Sequence, residues 1–534
     1  MILKQWKEMK KEEKAIFIGS LGLVSVTILA LVLFTLFCMD NLMHSDMSAE
    51  VILSKLLADE HKLVMTKDWY YSTELRVVYS QLIMTPLFYV FKSYRLVKQI
   101  SILIFYVLLV FAYRKLVKRI HVEKGFELLG LALLFAPLSN EYLDMLLIGC
   151  FYTSQVICTY LLLSLFFKKK EKTKEWLIQG AVFTVAAFIL GLSGLRYLAS
   201  LFIPVVLAGF FLLCELEEPL KKETFYGAIL RERLHALVFA LAGLFGAGLG
   251  FLVNKFVLAK QYSFDTTSEV AFVPLSEVPG RFLDSIRLMF EFFGYTQIQA
   301  VTPRGIVNVI KAAFFALIVF ASIYLWKNRR TLLTEVEKLL FYYFLAAFLL
   351  NWYMLVFTNV LLQYRYWLPV YVIGVFVLLL FFKVYHPKNQ LPVWTLTALC
   401  VFTVLGSLYG ELWQDVKYND CEKRYAYMDF LEENEYDFGY ATFWNASVSE
   451  YLSNGTIHVA SLGLNDLEQP YKWLQPKWYY QKGYHTGKCF LLLANSEAAG
   501  MEKGDFTIMD HPQLVYKDEY YSVYEDNGGM YIFE

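Results

Sequence analysis

The sequence predicts a polytopic α-helical membrane protein with a C-terminal extracytoplasmic α/β domain. Three observations carry that prediction. Apolar residues make up 57% of the 534-residue chain and charged residues only 18%, a balance that soluble domains rarely show. Apolar runs near the length of a bilayer crossing recur down to about residue 410. Beyond that point the composition turns polar, and short apolar strands alternate with helical segments.

The runs lie at 15–38, 98–113, 126–140, 143–167, 175–193, 195–214, 234–258, 304–326, 336–358, 366–383 and 391–410. They predict about 11–13 transmembrane helices. Several fall short of the ~20 residues of a straight span, so kinks or local thinning are expected. The first run, Ala15 to Cys38, is longer than a signal-peptide core and lacks a small-residue cleavage site after it, so it reads as an uncleaved span.

Basic clusters at Lys4–Lys14, Arg114–Lys124, Lys168–Lys174, Lys221–Arg233, Lys327–Arg330 and around Lys383 and Lys388 orient the chain. All can be cytoplasmic if Val77–Phe91 does not fully cross but lies re-entrant or interfacial. Lys92, Arg95 and Lys98 then lie outside. The result is a multi-pass plasma-membrane protein with a cytoplasmic N-terminus and an outward C-terminus. Short cytoplasmic loops without organelle signals fit a bacterial membrane. The transmembrane domain spans 1–410, its external loops are 39–97 and 259–303, and 411–534 form the outer domain.

In the first loop, HSDMSAEVILSKLLADE places Ala49, Ile52, Leu53, Leu56 and Leu57 at amphipathic-helix spacing. Asp46 stands where an N-cap should be, and Glu50 lies in the first turn, where the helix dipole favours an acid. In the second loop, Phe282, Ile286, Met289, Phe290 and Phe293 recur at helical spacing after Pro279, as in a helix lying on a membrane. In the tail, LWQDVKYNDCEKRYAYMDFLEEN and NASVSEYLSNG read as helices. FGYATF, TIHVASL, CFLLLA, DFTIM, QLVYK and YYSVY read as strands. Cys421 and Cys489 could form a disulfide outside the cell. Trp473, Trp478, Tyr479 and Tyr480 could stack on sugars or fill a core.

The net charge is zero, which gives no whole-chain argument for a nucleic-acid partner. No CxxC or His-rich spacing suggests a metal. A carboxylate at the membrane boundary, such as Asp46, could take a proton from an attacking hydroxyl. Arginines embedded between apolar runs, Arg196 in LGLSGLRYLASLFIP and Arg365 in LLQYRYWLPV, are costly unless they snorkel or meet an anion such as a lipid phosphate.

This layout resembles the GT-C class of integral-membrane glycosyltransferases, nearest to the protein mannosyltransferase and aminoarabinose transferase group. The matching residues are Asp46 in DNLMHSDMSAE, Pro86, Leu87 and Arg95 in MTPLFYVFKSYRLVKQIS, Glu141 and Asp144 in LSNEYLDMLLIGCFY, and RYWLPV. The sequence has Asp46 and Glu50 four residues apart where the group has adjacent acids, and Thr85-Pro86 where it often has two prolines. The resemblance implies inverting transfer of a sugar from a polyprenyl-phosphate carrier to a cell-envelope glycan, lipid or protein. It implies Asp46 as the base, and Glu50, Glu141 or Asp144 as acceptor-orienting or second acids. Arg196, Arg365 and Arg95 would bind the lipid phosphate, with no metal and no cofactor besides the donor substrate. A transporter or flippase, or a polysaccharide polymerase or ligase, is the alternative class.

Overall fold

A computed structural model describes residues 10–168, 172–215, 223–264, 270–419, 421–463, 469–481, 483–499 and 512–526, without the side chains of 223–229 and 231. The expected strand DFTIM and the basic residues Lys4 and Lys7 lie outside the described residues. The chain divides into two compact units. The first comprises 1–34, 105–254 and 269–414, and the second 35–104, 255–268 and 415–534. The sequence places the domain boundary at 410 and assigns loop 39–97 to the membrane domain. In the structure, that loop folds with the tail.

The first unit is helical and carries the multi-pass membrane character. Among the described residues of the chain, eight helices are long and apolar enough to cross a bilayer, or nine if one bent pair is a single span. They are Lys11–Phe37, Tyr94–Val117, Thr173–Gly191, Glu232–Lys260, Pro303–Leu332, Glu335–Phe357, Tyr364–Val384 and a run beginning at Leu391. The bent pair, Lys124–Phe135 and Asn140–Ile148, turns by 99°. Thr153–Phe166 and Leu198–Cys214 are shorter apolar helices.

Fewer runs than the expected eleven are therefore single helices of spanning length, and Pro137 explains one break. A proline pushes the residue before it out of helical backbone and supplies no N–H. Ala136 accordingly is extended, with φ −71° and ψ 124°, and the helix stops.

Tyr364–Val384 is the most enclosed span and packs on Lys124–Phe135, Pro303–Leu332 and Glu335–Phe357. Two buried tyrosines at this span have their hydroxyls satisfied by carbonyls, as a dry interior requires. Tyr371 Oη donates to Leu133 O at 2.9 Å, and Tyr160 Oη donates to Val372 O at 2.7 Å.

The amphipathic helix expected after Pro279 is Val278–Phe292. It buries Leu288, Met289 and Phe292, while Phe282, Leu283 and Ile286 stay exposed. Only part of the expected apolar face is therefore covered within this unit.

The second unit contains a five-stranded sheet. Taking β1 as Trp69–Tyr70, the strands are β2 (Phe438–Thr442), β3 (His458–Leu462), β4 (Gln475–Pro476), β5 (Cys489–Ala494), β6 (Gln513–Lys517) and β7 (Tyr521–Asp526). The sheet order is β3-β2-β5-β7-β6, with β2 parallel to β3 and β5, and β7 antiparallel to β5 and β6. β1 pairs antiparallel with β4. Strand β5 is apolar throughout because both faces are covered. Leu491 and Leu493 join Tyr440, Tyr479 and Tyr480 on one face, and Phe490 and Leu492 join Tyr427, Ala446 and Val459 on the other.

Every expected strand that falls among the described residues forms. The long expected helix does not form in one piece: it breaks into Trp413–Lys417 and Glu422–Glu433. The helix Phe443–Leu452 ends at Asn454 and Gly455, both with positive φ, as the Asn-Gly pair predicts. Cys421 and Cys489 are both buried thiols, so the disulfide does not form. Tyr479 and Tyr480 fill the core.

The Val77–Phe91 segment folds into Gln81–Phe88, an eight-residue helix too short to span. The helix Ser45–Asp59 packs on it and on Phe443–Leu452. Packing on two sides buries Ser45, Met47, Ser48, Ala49, Glu50, Val51 and Ile52 together, so the solvated amphipathic face expected there is largely absent.

Candidate functional site

The break at Pro137 builds a polar cluster in the first unit. Ser139 caps the next helix, its hydroxyl accepting from Tyr142 N at 3.2 Å. This fixes Glu141 in the first turn. The backbone then widens into a π-type turn over Leu143–Ile148 that carries Asp144. Such turns are often found at functional sites. Asp144 O accepts from Cys150 N at 3.2 Å, and Cys150 takes φ 65° to close the turn. A side chain at Gly149 would place Cβ 2.5 Å from Asp144 Oδ1, so the glycine makes room for that carboxylate.

Opposite this turn, Tyr364–Trp367 forms a tight turn that leads into the central span. Arg365 Nη1 lies 3.6 Å from Glu141 Oε1, with 34% of its side chain exposed against 18% for Glu141. That separation is beyond hydrogen-bonding range, so the guanidinium keeps donors for another acceptor. Glu141, Asp144, Glu291 and Glu411 all lie close enough to Tyr364 to act on it electrostatically.

Below them, Lys311 Nζ donates to Leu138 O and to Glu411 Oε1, both at 2.6 Å. Glu411 sits in a second π-type turn, Leu408–Leu412. Arg196 belongs to the same unit and lies over the ring of Tyr152, 4.8 Å from its centre. Its carbonyl accepts from Ser200 Oγ at 2.8 Å, just ahead of the π-type turn Leu198–Phe202.

The other predicted residues belong to the second unit. Asp46 is half-buried in the first turn of Ser45–Asp59. His44, not Asp46, occupies the N-cap position, because Ser45 already has helical backbone. Glu50 is buried: Ser80 Oγ donates to its Oε2 at 2.9 Å, and Lys98 Nζ lies 3.8 Å away with 1% of its side chain exposed. Burial holds the Glu50 carboxyl above its ordinary range, against the opposing pull of Lys98, Tyr79 and Arg76. Arg95, predicted for phosphate, instead pairs with Asp40 at 2.9 Å while half exposed.

The structure thus brings Glu141, Asp144 and Arg365 into one cluster. Sequence reading missed Lys311, Glu291, Tyr364 and Glu411. Lys311 had a usable signal, as a lone cation inside an apolar run, which is expensive in a membrane and commonly functional.

Sugar hydroxyls donate well to carboxylates, and a guanidinium donates to phosphate oxygens. The cluster offers both kinds of partner side by side. Among the described residues, no three His, Cys, Asp or Glu side chains are grouped so as to hold a metal ion.

The chain is a multi-pass membrane protein with a mixed α/β unit. No protein-family model matches the sequence, and no curated protein does. Among solved structures it is similar to the archaeal oligosaccharyltransferase AglB from Archaeoglobus fulgidus, seen with an inhibitory peptide and a dolichol-phosphate. That match is 11% identical with a TM-score of 0.47, covering 89% of this chain and 69% of AglB. The apo form of an Archaeoglobus fulgidus oligosaccharyltransferase matches at 11% identity and a TM-score of 0.44, over 82% of this chain and 64% of the other.

Proposed function

We propose that this protein is a GT-C-like inverting glycosyltransferase that moves a sugar from a polyprenyl-phosphate carrier to a cell-envelope acceptor at the outer membrane face. The observation that supports it most is the partly exposed Glu141–Arg365 pair, with Asp144 three residues on from Glu141 and the charges of Glu291 and Glu411 within electrostatic reach of Tyr364, at the head of the most enclosed apolar span. A lipid carrier needs an apolar route that ends at a cation, and a sugar needs carboxylate acceptors near that cation. In this reading the acceptor oxygen bonds to the anomeric carbon as the bond from that carbon to the phosphate oxygen breaks. Asp46 takes the acceptor proton. Arg365 and Arg196 stabilise the charge that develops on the departing polyprenyl phosphate, and Glu141 and Asp144 orient hydroxyls.

The test is incubation of purified protein with labelled polyprenyl-phosphate-linked sugars, reading the released polyprenyl phosphate. Release coupled to a glycosylated acceptor supports the reading. Translocation of intact donor without cleavage moves the assignment to a flippase. Replacing Asp46→Asn is expected to lower transfer by about 10²–10⁴-fold, and full activity in a folded variant removes Asp46 as the base.

A further inference from the structure

Lys311 lies eight residues into the span Pro303–Leu332 with 1% of its side chain exposed, a position where a cation is costly unless fully satisfied. Its two strong partners lie on different segments. One is the carbonyl of Leu138, freed by the break at Pro137, and the other is the carboxylate of Glu411, both at 2.6 Å. A fourth segment closes on the same point. Gly294 follows the helix Val278–Phe292 with φ +77°, and a Cβ there would stand 2.1 Å from Leu138 O, 2.5 Å from Lys311 Nζ and 3.1 Å from Glu411 Oε1. Leu138 is three residues before Glu141, and only the cap residue Ser139 and Asn140 separate them.

We infer that Lys311 is a positioning residue: through Leu138 O and Glu411 it sets where Glu141 and Asp144 stand relative to Arg365. Its charge is consumed by the two groups it holds, so it acts on a ligand only through them. The inference concerns the cluster of the proposed transferase site and rests on that reading for its consequence, but its structural content is separate. Removing Lys311 frees a backbone carbonyl at the root of the acid-bearing turn. It also leaves Glu411 in partly buried surroundings without its cation. The second defect can be cured by an apolar replacement of Glu411, because deleting both members of a buried pair often restores stability. The first defect cannot be cured in that way. The two variants therefore separate positioning from simple stabilisation.

The experiment uses the full chain purified in detergent, as wild type, Lys311→Met and Lys311→Met/Glu411→Leu. Three readings are taken: thermal midpoint, amide hydrogen exchange over 139–148, and affinity for undecaprenyl phosphate. Lys311→Met is expected to lower the midpoint, accelerate exchange in that segment and weaken binding about tenfold. The double variant is expected to recover the midpoint while exchange stays fast and binding stays weak. Recovery of exchange and affinity along with the midpoint would show that Lys311 only stabilises, and overturns the inference. If wild type binds no undecaprenyl phosphate, the transferase reading fails on its own. Exchange then decides the positioning role: faster exchange in the double variant upholds it and unchanged exchange rejects it. Should Lys311→Met fail to fold, the double variant alone carries the same decision.

Discussion

In the helical unit, Glu141 and Arg365 face each other at 3.6 Å with 18% and 34% of their side chains exposed. In the α/β unit, Glu50 and Lys98 do the same at 3.8 Å with 9% and 1% exposed. The separation and chemistry are nearly equal, and the surroundings differ. The first pair can exchange its partner for a ligand at less cost, because a third of the Arg365 side chain is exposed, even though the facing Glu141 Oε1 is itself buried. The sealed pair cannot, since each charge depends on the other once water is excluded. Distance alone therefore does not separate a binding pair from a structural one. Exposure separates them.

The comparison breaks most visibly at Lys98. Replacing Lys98→Met leaves Glu50 buried without its cation and is expected to destabilise the second unit by ~3–5 kcal/mol, measured as loss of the folded state on heating or in denaturant. The folded-state carboxyl of Glu50 is already raised by burial, so the native protein binds its proton more readily than the unfolded chain. That penalty should accordingly shrink as pH falls and grow as pH rises. A penalty independent of pH would mean that Glu50 is not the group left stranded.

Next in size is Gly294→Ala. The positive φ and the collision with Leu138 O together are expected to cost about 2 kcal/mol or more, with faster hydrogen exchange in 139–148. Normal exchange there would loosen the link between Gly294 and the acid-bearing turn.

Arg365→Lys probes the partly exposed pair. It removes the planar fork while keeping the charge, and is expected to weaken undecaprenyl phosphate binding about tenfold while moving stability by no more than ~0.5 kcal/mol. A large stability loss with unchanged affinity would place this pair with the sealed one.

The smallest effect concerns His458. Burial lowers its affinity for a proton, but its hydrogen bond to buried Glu450, the charge of Glu450 and the charge of Asp437 raise it more, and the net shift is upward. A raised folded-state value means that the stabilisation is complete below the ordinary histidine range and fades as pH rises through the folded value. Thermal midpoints of wild type should fall over that interval, and those of His458→Gln should fall less. With 40% of its side chain exposed, solvent screening keeps the difference small. Parallel curves would detach His458 from the stability of this unit.

The periodic elements were legible in the sequence because local chemistry sets them. Apolar runs mark spans, short apolar runs bounded by polar turns mark strands, and Asn454-Gly455 marks a helix stop. The short helix Gln81–Phe88 also agreed with the charge argument that kept Val77–Phe91 from crossing. Kinks are expected from the short runs, but their places are not read: Pro137 counts within the run 126–140, where its neighbour Ala136 turns extended. Glu141, Asp144 and Arg365 could be named individually as acids and a cation near span ends, and their association could not.

The sequence by itself determined the membrane class, the strands and the residue types available for chemistry, since composition and period act over a few neighbours. Only the tertiary structure decided which charges share an environment. Lys311 meets Leu138 and Glu411 across 173 and 100 residues of chain, and no local pattern records such a meeting. The same holds for burial, which seals Glu50 against Lys98 and leaves Arg365 partly exposed beside Glu141.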